Sequence, residues 1–166
     1  MCLLWLNCFL QDQAQKELVM PQFKQGDLFE APGVHIVTAS SCISQDNSLV
    51  MGLGACYAMK CRYPDAPKLF GAMISNYCGH LGVYGLLLHG KMGVLQSKRH
   101  FNDRIDVQLI LYGLKILAAV AGGQPAMIYN LVHPGMGYDR SMIPEIEALL
   151  QHLPANVHIW IKNQPA

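Results

Sequence analysis

The sequence carries little charge of either sign. Charged residues make up 14% of the chain, and 12 lysines and arginines nearly balance 11 acids, which leaves a formal charge of +1. A protein that binds nucleic acid mainly by neutralising its phosphates needs a broad basic field. The balance therefore disfavours that class of protein, and we expect any anionic ligand to be small and held locally.

The six cysteines include no CxxC pair and have no histidine nearby at metal-binding spacing. They lie among apolar neighbours, as free, buried thiols do in a reducing compartment. We therefore expect no disulfide, no structural zinc or other metal, no cofactor, and a cytoplasmic location.

A membrane-spanning run is also not apparent. The apolar residues 1–10 (MCLLWLNCFL) are too few to cross a bilayer, and they lack the basic region and the small-residue cleavage site of a signal peptide. We expect residues 1–19 to form a dispensable extension, with an extra packing segment as the alternative. Residues 20–166 are then one domain, long enough to bury a substantial core.

Hydrophobic patterning predicts six strands and four helices. The predicted strands cover residues 21–25, 35–39, 83–89, 93–97, 126–132 and 157–161. The predicted helices run from the glycine pair at 52 and 54 to just before 64, and over residues 65–76, 103–121 and 141–150. Asn102 or Asp103 would cap the third helix, and a glycine pair at 122–123 would end it. This order indicates an α/β fold, with α/β/α layers and a mixed sheet that includes one hairpin.

Two glycine-containing loops each follow a predicted strand and precede a predicted helix. The first runs from Ser44 through Gly52 and Gly54, and the second covers residues 133–140. Glycines let backbone N–H groups approach an anion, and the next helix start adds unpaired donors. An ordinary tight turn is the alternative for a glycine pair at such a junction. Because both loops should leave the carboxyl edge of the sheet, together they can grip a diphosphate.

Lys98, at the end of a strand, and Asp139, in the second loop, are the candidates for chemistry. A partly desolvated lysine can form a Schiff base with a masked sugar aldehyde, and a nearby carboxylate can move the protons. The alternative is structural, with residues 98–100 as a solvated basic turn and Asp139 as a helix cap.

Five segments resemble motifs of the macro domain, the module that binds ADP-ribose. They occur in the right order, and the resemblance extends over nearly all of the chain after Met20. They are residues 26–29 (GDLF), 43–46 (ISQD), 51–55 (MGLGA), 95–101 (LQSKRHF) and 134–140 (PGMGYDR). They are similar to the GDLF, ISED, MGxGIA, TKRHW and GCGLDR motifs of one branch. That branch contains the vertebrate terminal ADP-ribose protein glycohydrolase and bacterial antitoxins that remove ADP-ribose from DNA bases. The resemblance implies a three-layer α/β/α macro domain.

The resemblance also implies a role for each matching residue. Asp27 would accept a hydrogen bond from the adenine amino group, Lys98 would attack the anomeric carbon of the distal ribose, and Asp139 would be the acid/base that releases the adduct. Gly52 and Gly54 would line the distal ribose and the pyrophosphate. Further contacts to ADP-ribose are implied for Leu28, Ser44, Met51 and Ala55, and in the second loop for Pro134, Gly135, Met136, Gly137 and Tyr138. Residues 46–50 are about two longer than in the vertebrate enzyme, which leaves the ribose contacts there open.

The resemblance implies an ADP-ribosyl glycohydrolase that removes terminal ADP-ribose from acidic side chains or nucleobases, and we expect it to be a monomer. Its partners would be ADP-ribose or ADP-ribosylated protein or nucleic acid, with no membrane. One alternative is a module that binds or sequesters ADP-ribose without turnover. The other is a phosphatase of ADP-ribose 1″-phosphate, in which Lys98 has no covalent role. The near-neutral charge favours a protein-linked or free nucleotide substrate over a DNA-linked one.

Overall fold

The computed structural model describes residues 20–78, 81–135 and 143–161. The strands are β1 (Gln22–Gln25), β2 (Val34–Ala39), β3 (Leu86–His89), β4 (Met92–Gln96), β5 (Tyr129–Val132) and β6 (Val157–Ile161). The α-helices are α1 (Gly54–Arg62), α2 (Ala66–Tyr77), α3 (Val107–Gly123) and α4 (Ile143–Leu150), and a 3-10 helix spans Leu28–Glu30. Among these helices, none has the length and apolar character that a membrane span requires.

The six strands form one mixed sheet in the order β1-β6-β5-β2-β4-β3. Every neighbouring pair is parallel except β3 and β4, which form a hairpin through Gly90 and Lys91. The predicted mixed sheet of about six strands is confirmed.

Helices cover both faces of the sheet. On one face, Ile110 of α3 and Ile146 of α4 belong to the same buried cluster as Ile36 of β2. On the other face, Phe70 of α2 lies in a second cluster with Val37 of β2. Since β2 is buried on both faces, it reads as a nearly continuous apolar run rather than an alternating one. The predicted α/β/α layering is confirmed.

Residues 26–33 pack against part of the second face of the sheet. The side chains of Leu28 and Phe29 are buried there, in the same cluster as Val132 of β5 and Trp160 of β6. This short segment, which includes the 3-10 helix, therefore overlies the β5–β6 side of the sheet.

The start of α3 differs from the prediction. The helix begins at Val107 and its N-cap is Asp106, whose carboxylate accepts hydrogen bonds from the backbone N–H groups of Gln108 and Leu109. The assignment of Asn102 or Asp103 as the cap is wrong because the Asp103 carboxylate instead accepts from the N–H of His100 within a turn (2.8 Å).

Other boundaries shift by a few residues. The strands β3 and β5 each begin three residues later than predicted, and α3 continues through the glycine pair at 122–123. The four cysteines in the described part of the chain are free thiols. Cys61 is exposed, so the expectation of burial is wrong for that residue.

Candidate functional site

Three neighbouring parallel strands, β5, β2 and β4, end at the same edge of the sheet. Two hydrogen bonds join the loop after β2 to the segment that carries Lys98. The N–H of Ser97 donates to the Ala39 carbonyl (3.0 Å), and the N–H of Ser41 donates to the Arg99 carbonyl (3.1 Å). The first glycine loop and the described start of the second, residues 133–135, leave the carboxyl edge as predicted, and Lys98 follows β4 beside the first loop.

The half-buried side chain of Lys98 turns back onto its own turn. Its Nζ donates to the carbonyl oxygens of Phe101 (3.0 Å) and Asp103 (3.4 Å). The buried amide of Gln96 donates from Nε2 to the carbonyl oxygens of Gly82 (2.6 Å) and Lys98 (3.4 Å). The backbone at Lys98 is therefore anchored to the sheet, and an amine that attacks a ligand must turn away from the two carbonyls that hold it.

A carboxylate organises the first half of the glycine loop. Asp46 accepts hydrogen bonds from the hydroxyls of Ser44 (2.5 Å) and Ser48 (3.1 Å) and from the backbone N–H of Ser48 (3.3 Å). The hydroxyls of Ser44 and Ser48 lower the pKa of Asp46, against a smaller opposing effect of burial. Ser44, a predicted ligand residue, is thus already bonded within the loop, where its hydroxyl also contacts the Ser48 carbonyl (2.8 Å).

The same loop is fastened to α2. Asn47 has a positive φ of 61°, a conformation that asparagine tolerates better than most residues, and its side-chain Oδ1 accepts from the Ser75 hydroxyl (2.7 Å). The N–H of Leu49 donates to the Pro67 carbonyl (2.8 Å). Gly71 faces this loop so closely that a Cβ there would overlap the Asn47 carbonyl oxygen. The loop is therefore built into the fold on the side away from the solvent.

The glycine pair itself is open to solvent. A Cβ added at Gly52 or Gly54 would meet no atom of the described residues within 4 Å, and both glycines are exposed. Gly54 has a positive φ of 59°, which favours glycine, whereas Gly52 does not. Ala55 follows half-buried in α1, and Met51 is buried. Neighbouring packing therefore does not explain the glycine at 52.

A groove of 410 Å³ runs beside the first glycine loop. Three predicted ligand residues, Ser44, Met51 and Gly52, line it together with Lys60 of α1 and Lys68 of α2. Lys98, after β4, and Asp27 and Leu28, after β1, do not line this groove. The described surface thus brings only part of the predicted ligand set into one concavity.

The second loop begins on a buried histidine. Desolvation lowers the pKa of His133. Two smaller effects oppose it, a hydrogen bond to the backbone of Pro134 and the charge of Glu147. The Glu147 carboxylate lies 3.9 Å from Nε2 of His133. Within the described residues, Nδ1 of His133 has no hydrogen-bond partner. Gly135 has a φ of 98°, and a Cβ there would lie 2.7 Å from the Ile146 side chain of α4. Pro134 and Gly135 are therefore packed against the fold.

The remaining predictions for the second loop fall on Met136, Gly137, Tyr138 and Asp139, which lie outside the described residues. Residues 1–19 and the first two residues of the predicted fourth helix lie outside them as well.

Asp27 lies at the far end of the same sheet edge, just after β1. It is exposed and caps the 3-10 helix, with its Oδ1 accepting from the N–H of Phe29 (2.9 Å). The side chain of Leu28, another predicted ligand residue, is 5% exposed and belongs to the core. Of these two neighbours, only Asp27 presents its side chain to solvent.

Sequence reasoning missed a set of buried polar side chains beneath Asp27. Asn130 of β5 accepts from Trp160 Nε1 (2.9 Å) and donates to the Pro32 carbonyl (2.9 Å). His35 of β2 contacts the Ala31 carbonyl through Nε2 (2.8 Å) and the Tyr63 hydroxyl through Nδ1 (3.0 Å). The sequence held one signal, since a polar residue within a buried apolar strand must find hydrogen-bond partners.

No group of three or more His, Cys, Asp or Glu side chains suited to a metal ion occurs in the described part of the chain.

A scan against models of protein families gives no match, and a search of curated protein sequences gives none either. Solved structures do match. The macrodomain of Thermus aquaticus DarG is 20% identical with a TM-score of 0.64, over 88% of this chain and 99% of that one. The macrodomain of Mycobacterium tuberculosis DarG is 19% identical with a TM-score of 0.61, over 89% and 99%.

Thermosipho africanus DarTG, solved in complex with ADP-ribose, is 17% identical with a TM-score of 0.65, over 89% of this chain. This chain spans 44% of the length of that larger protein. At these identities the likenesses show the fold, not the chemistry.

Proposed function

We propose that this protein, whose fold is that of a macrodomain, binds ADP-ribose at the carboxyl edge of its sheet. We further propose that it hydrolyses the bond between the distal ribose and an acidic side chain or a nucleobase. Lys98 is the nucleophile and Asp139 the acid/base in this account. The structure of Thermosipho africanus DarTG is a complex with ADP-ribose, which supports the choice of ligand here.

The observation that carries the proposal is the common edge on which the candidate residues lie. Asp27 follows β1 and Lys98 follows β4, with three loops or strand ends between them. Four strand spacings separate β1 from β4, which amounts to about 19 Å. An extended ligand with an adenine at one end and a reactive ribose at the other suits two recognition points so far apart.

The open glycine pair supports the diphosphate part of the site. Within the part of the chain that the structure describes, no neighbour would block a side chain at Gly52, so packing there does not require glycine. A missing side chain leaves the backbone N–H groups accessible to an anion. Leu53, the N-cap of α1, makes no side-chain hydrogen bond to the helix, so the first N–H groups of α1 are not capped by it.

The chemistry follows from these positions. The neutral amine of Lys98 donates its electron pair to C1″ of the distal ribose, and the bond from C1″ to the leaving oxygen or nitrogen breaks with its electrons on the leaving group, which takes a proton given up by the lysine nitrogen. The bond from C1″ to the ring oxygen then breaks with its electrons on that oxygen, which takes the second N–H proton, so that a C=N bond joins Lys98 to the opened ribose. Water replaces the lysine nitrogen at C1″, with Asp139 carrying the protons of water to that nitrogen, and the ribose ring closes again. The net reaction consumes one water and yields ADP-ribose and the protonated leaving group.

A binding module without turnover is the second candidate, and one observation favours it. The Nζ of Lys98 donates to the backbone carbonyls of Phe101 and Asp103, and these two hydrogen bonds must be given up before the amine can attack C1″. A macrodomain of this kind would retain ADP-ribose and release no product.

Product formation separates the two candidates. The purified protein would be incubated with a glutamate-linked mono-ADP-ribosylated protein and, separately, with ADP-ribosylated single-stranded DNA, and free ADP-ribose would be measured. We expect release from at least one substrate, loss of release in Lys98→Ala, and release slower by about 10²–10⁴-fold in Asp139→Ala. Lys115→Ala, which alters an exposed lysine of α3, is the matched control. Release of ADP-ribose by Lys98→Ala at the parental rate would overturn the catalytic proposal. If the parent protein binds ADP-ribose but releases none from either substrate, the binding module without turnover is the remaining candidate.

A further inference from the structure

One buried amide holds the segment that carries Asp27 near both of its ends. Asn130 is fully buried, and its Oδ1 accepts from Trp160 Nε1 while its Nδ2 donates to the Pro32 carbonyl. The indole of Trp160 lies beneath Gly26, because a Cβ at Gly26 would be 3.6 Å from Trp160 Cζ3. Asn130 therefore acts on residues 26–33 directly at one end and through the indole at the other.

The two partners of Asn130 require an amide. An indole N–H can only donate and a backbone carbonyl can only accept. A carboxylate at this position would lack the donor, and an aliphatic side chain would leave both partners without a hydrogen bond in a buried place. The identity of residue 130 is thus set by the indole and by the Pro32 carbonyl together.

The middle of the segment is held independently. Nε2 of His35 bonds to the Ala31 carbonyl, and the His35 ring makes an edge contact with Phe29 at 5.4 Å between centroids. Changing Asn130 or Trp160 therefore leaves the buried part of the segment attached through His35. The half-buried Gly26, which precedes the exposed Asp27, lies against the indole, and its N–H also donates to the Ile161 carbonyl (3.4 Å).

We propose that Asn130 and Trp160 are positioning residues for base recognition, which fix the direction of the Asp27 carboxylate. This inference rests on the proposed function, in which Asp27 accepts a hydrogen bond from the adenine amino group. Asp27 is tied to the backbone of its own turn through Phe29 N–H, so its carboxylate turns with that backbone. Hydrogen bonds weaken steeply once they bend away from linearity, so a modest rotation of the turn removes the recognition.

The test compares the dissociation constants of ADP-ribose and inosine diphosphate ribose, in which a carbonyl replaces the adenine amino group. We expect the parent protein to prefer ADP-ribose about tenfold to hundredfold, as for a hydrogen bond to a charged group. Trp160→Phe keeps a ring beneath Gly26 but loses the N–H donor, and Asn130→Leu loses both polar atoms. Each should lower the preference at least severalfold, toward that of Asp27→Ala, with little change for the inosine compound.

A matched control comes from the neighbouring residue of β5. The buried Tyr129 donates its hydroxyl to Gln124 Oε1 (3.2 Å) and belongs to the cluster on the opposite face of the sheet. Tyr129→Phe removes one hydrogen bond from the same strand, so it should alter stability without altering the preference. Thermal unfolding of every variant shows whether the loss of preference for ADP-ribose correlates with lowered stability or with the loss of the hydrogen bonds of Asn130.

The double variant Asn130→Leu/Trp160→Phe should lose no more preference than Asn130→Leu alone, because both changes break the same indole bond. An unchanged preference in the folded Trp160→Phe variant would overturn the inference, and that variant decides if Asn130→Leu does not fold. An unchanged preference in Asp27→Ala would overturn it as well. A parent protein that binds neither nucleotide would instead refute the proposed function.

Discussion

Gly71 is the position at which α2 presses against the glycine loop, and Gly71→Ala tests that contact. The added Cβ would overlap the Asn47 carbonyl oxygen and lie 2.8 Å from the N–H nitrogen of Leu49. Both neighbours are backbone atoms, so no side chain can turn aside to make room. The loop must move off the helix, and the hydrogen bond from Leu49 to the Pro67 carbonyl (2.8 Å) is strained or lost.

The size of the effect follows from three opposing contributions to the free energy of unfolding. Overpacking costs about 1–3 kcal/mol. The lost hydrogen bond costs about 0.5–1.5 kcal/mol. Alanine returns about 1 kcal/mol because it favours the helix more than glycine does. We expect a net loss of about 2 kcal/mol, which lowers the Tm by roughly 4–8 °C in a chain of this length.

The matched control is Gly122→Ala, near the end of α3. A Cβ there meets no atom within 4 Å. The same chemical change should therefore be neutral or stabilising by up to about 1 kcal/mol. Thermal unfolding of the two variants measures the difference between their Tm values. Calorimetric titration with ADP-ribose shows whether the displaced loop lowers the affinity for the ligand. Equal Tm values for the two variants would refute the contact at Gly71.

Three further changes have defined outcomes. Asp106→Ala removes the N-cap of α3 and should lower the free energy of unfolding, measured by denaturant titration, by about 1 kcal/mol. Arg99→Ala removes an exposed ion pair to Asp106 (3.6 Å) and should change that free energy little. Burial lowers the pKa of His133, so the unfolded chain takes up the proton first on acidification; stability should decline as the pH falls below about 6.5. Part of that slope should disappear in His133→Leu, and an unchanged slope between pH 7.5 and about 5 would contradict the burial effect. Burial raises the pKa of Cys56 to about 12, while Cys61 is exposed. Burial also raises the pKa of Cys78. With the half-buried Cys42 and the two cysteines of residues 1–19 replaced by serine, Cys61→Ser should therefore remove most of the alkylation seen at pH 8.

The order and type of the elements could be predicted from the sequence because apolar runs and helical periodicity record burial directly. The start of α3 could not, since Asp103 and Asp106 are both suitable caps. The choice between them depends on the turn in which Asp103 binds the His100 N–H. Two hydrogen bonds fix this turn beside β2, from Ser41 N–H to the Arg99 carbonyl and from Ser97 N–H to the Ala39 carbonyl. They join segments far apart in the chain, so local sequence does not predict them.

The placement of part of the candidate site was predictable from the sequence, and the roles of its residues stay predictions. Motifs with short spacing located Asp27, the glycine pair and Lys98, and the parallel strands bring their segments to one edge of the sheet. The support beneath Asp27 escaped prediction because Asn130 and Pro32 are 98 residues apart in the chain. Contacts of that separation are set by strand order, which a motif does not record.

The central claim is that Lys98 forms a covalent adduct with the distal ribose, and trapping that adduct tests it most directly. The protein would be incubated with each ADP-ribosylated substrate in the presence of cyanoborohydride, which reduces a C=N bond to a stable amine, and then digested for mass spectrometry. The account predicts an ADP-ribose-derived mass on the peptide that contains Lys98, and no such mass in Lys98→Ala. Release of ADP-ribose by the parent protein with no adduct at Lys98, together with equal release by Lys98→Ala, would contradict it.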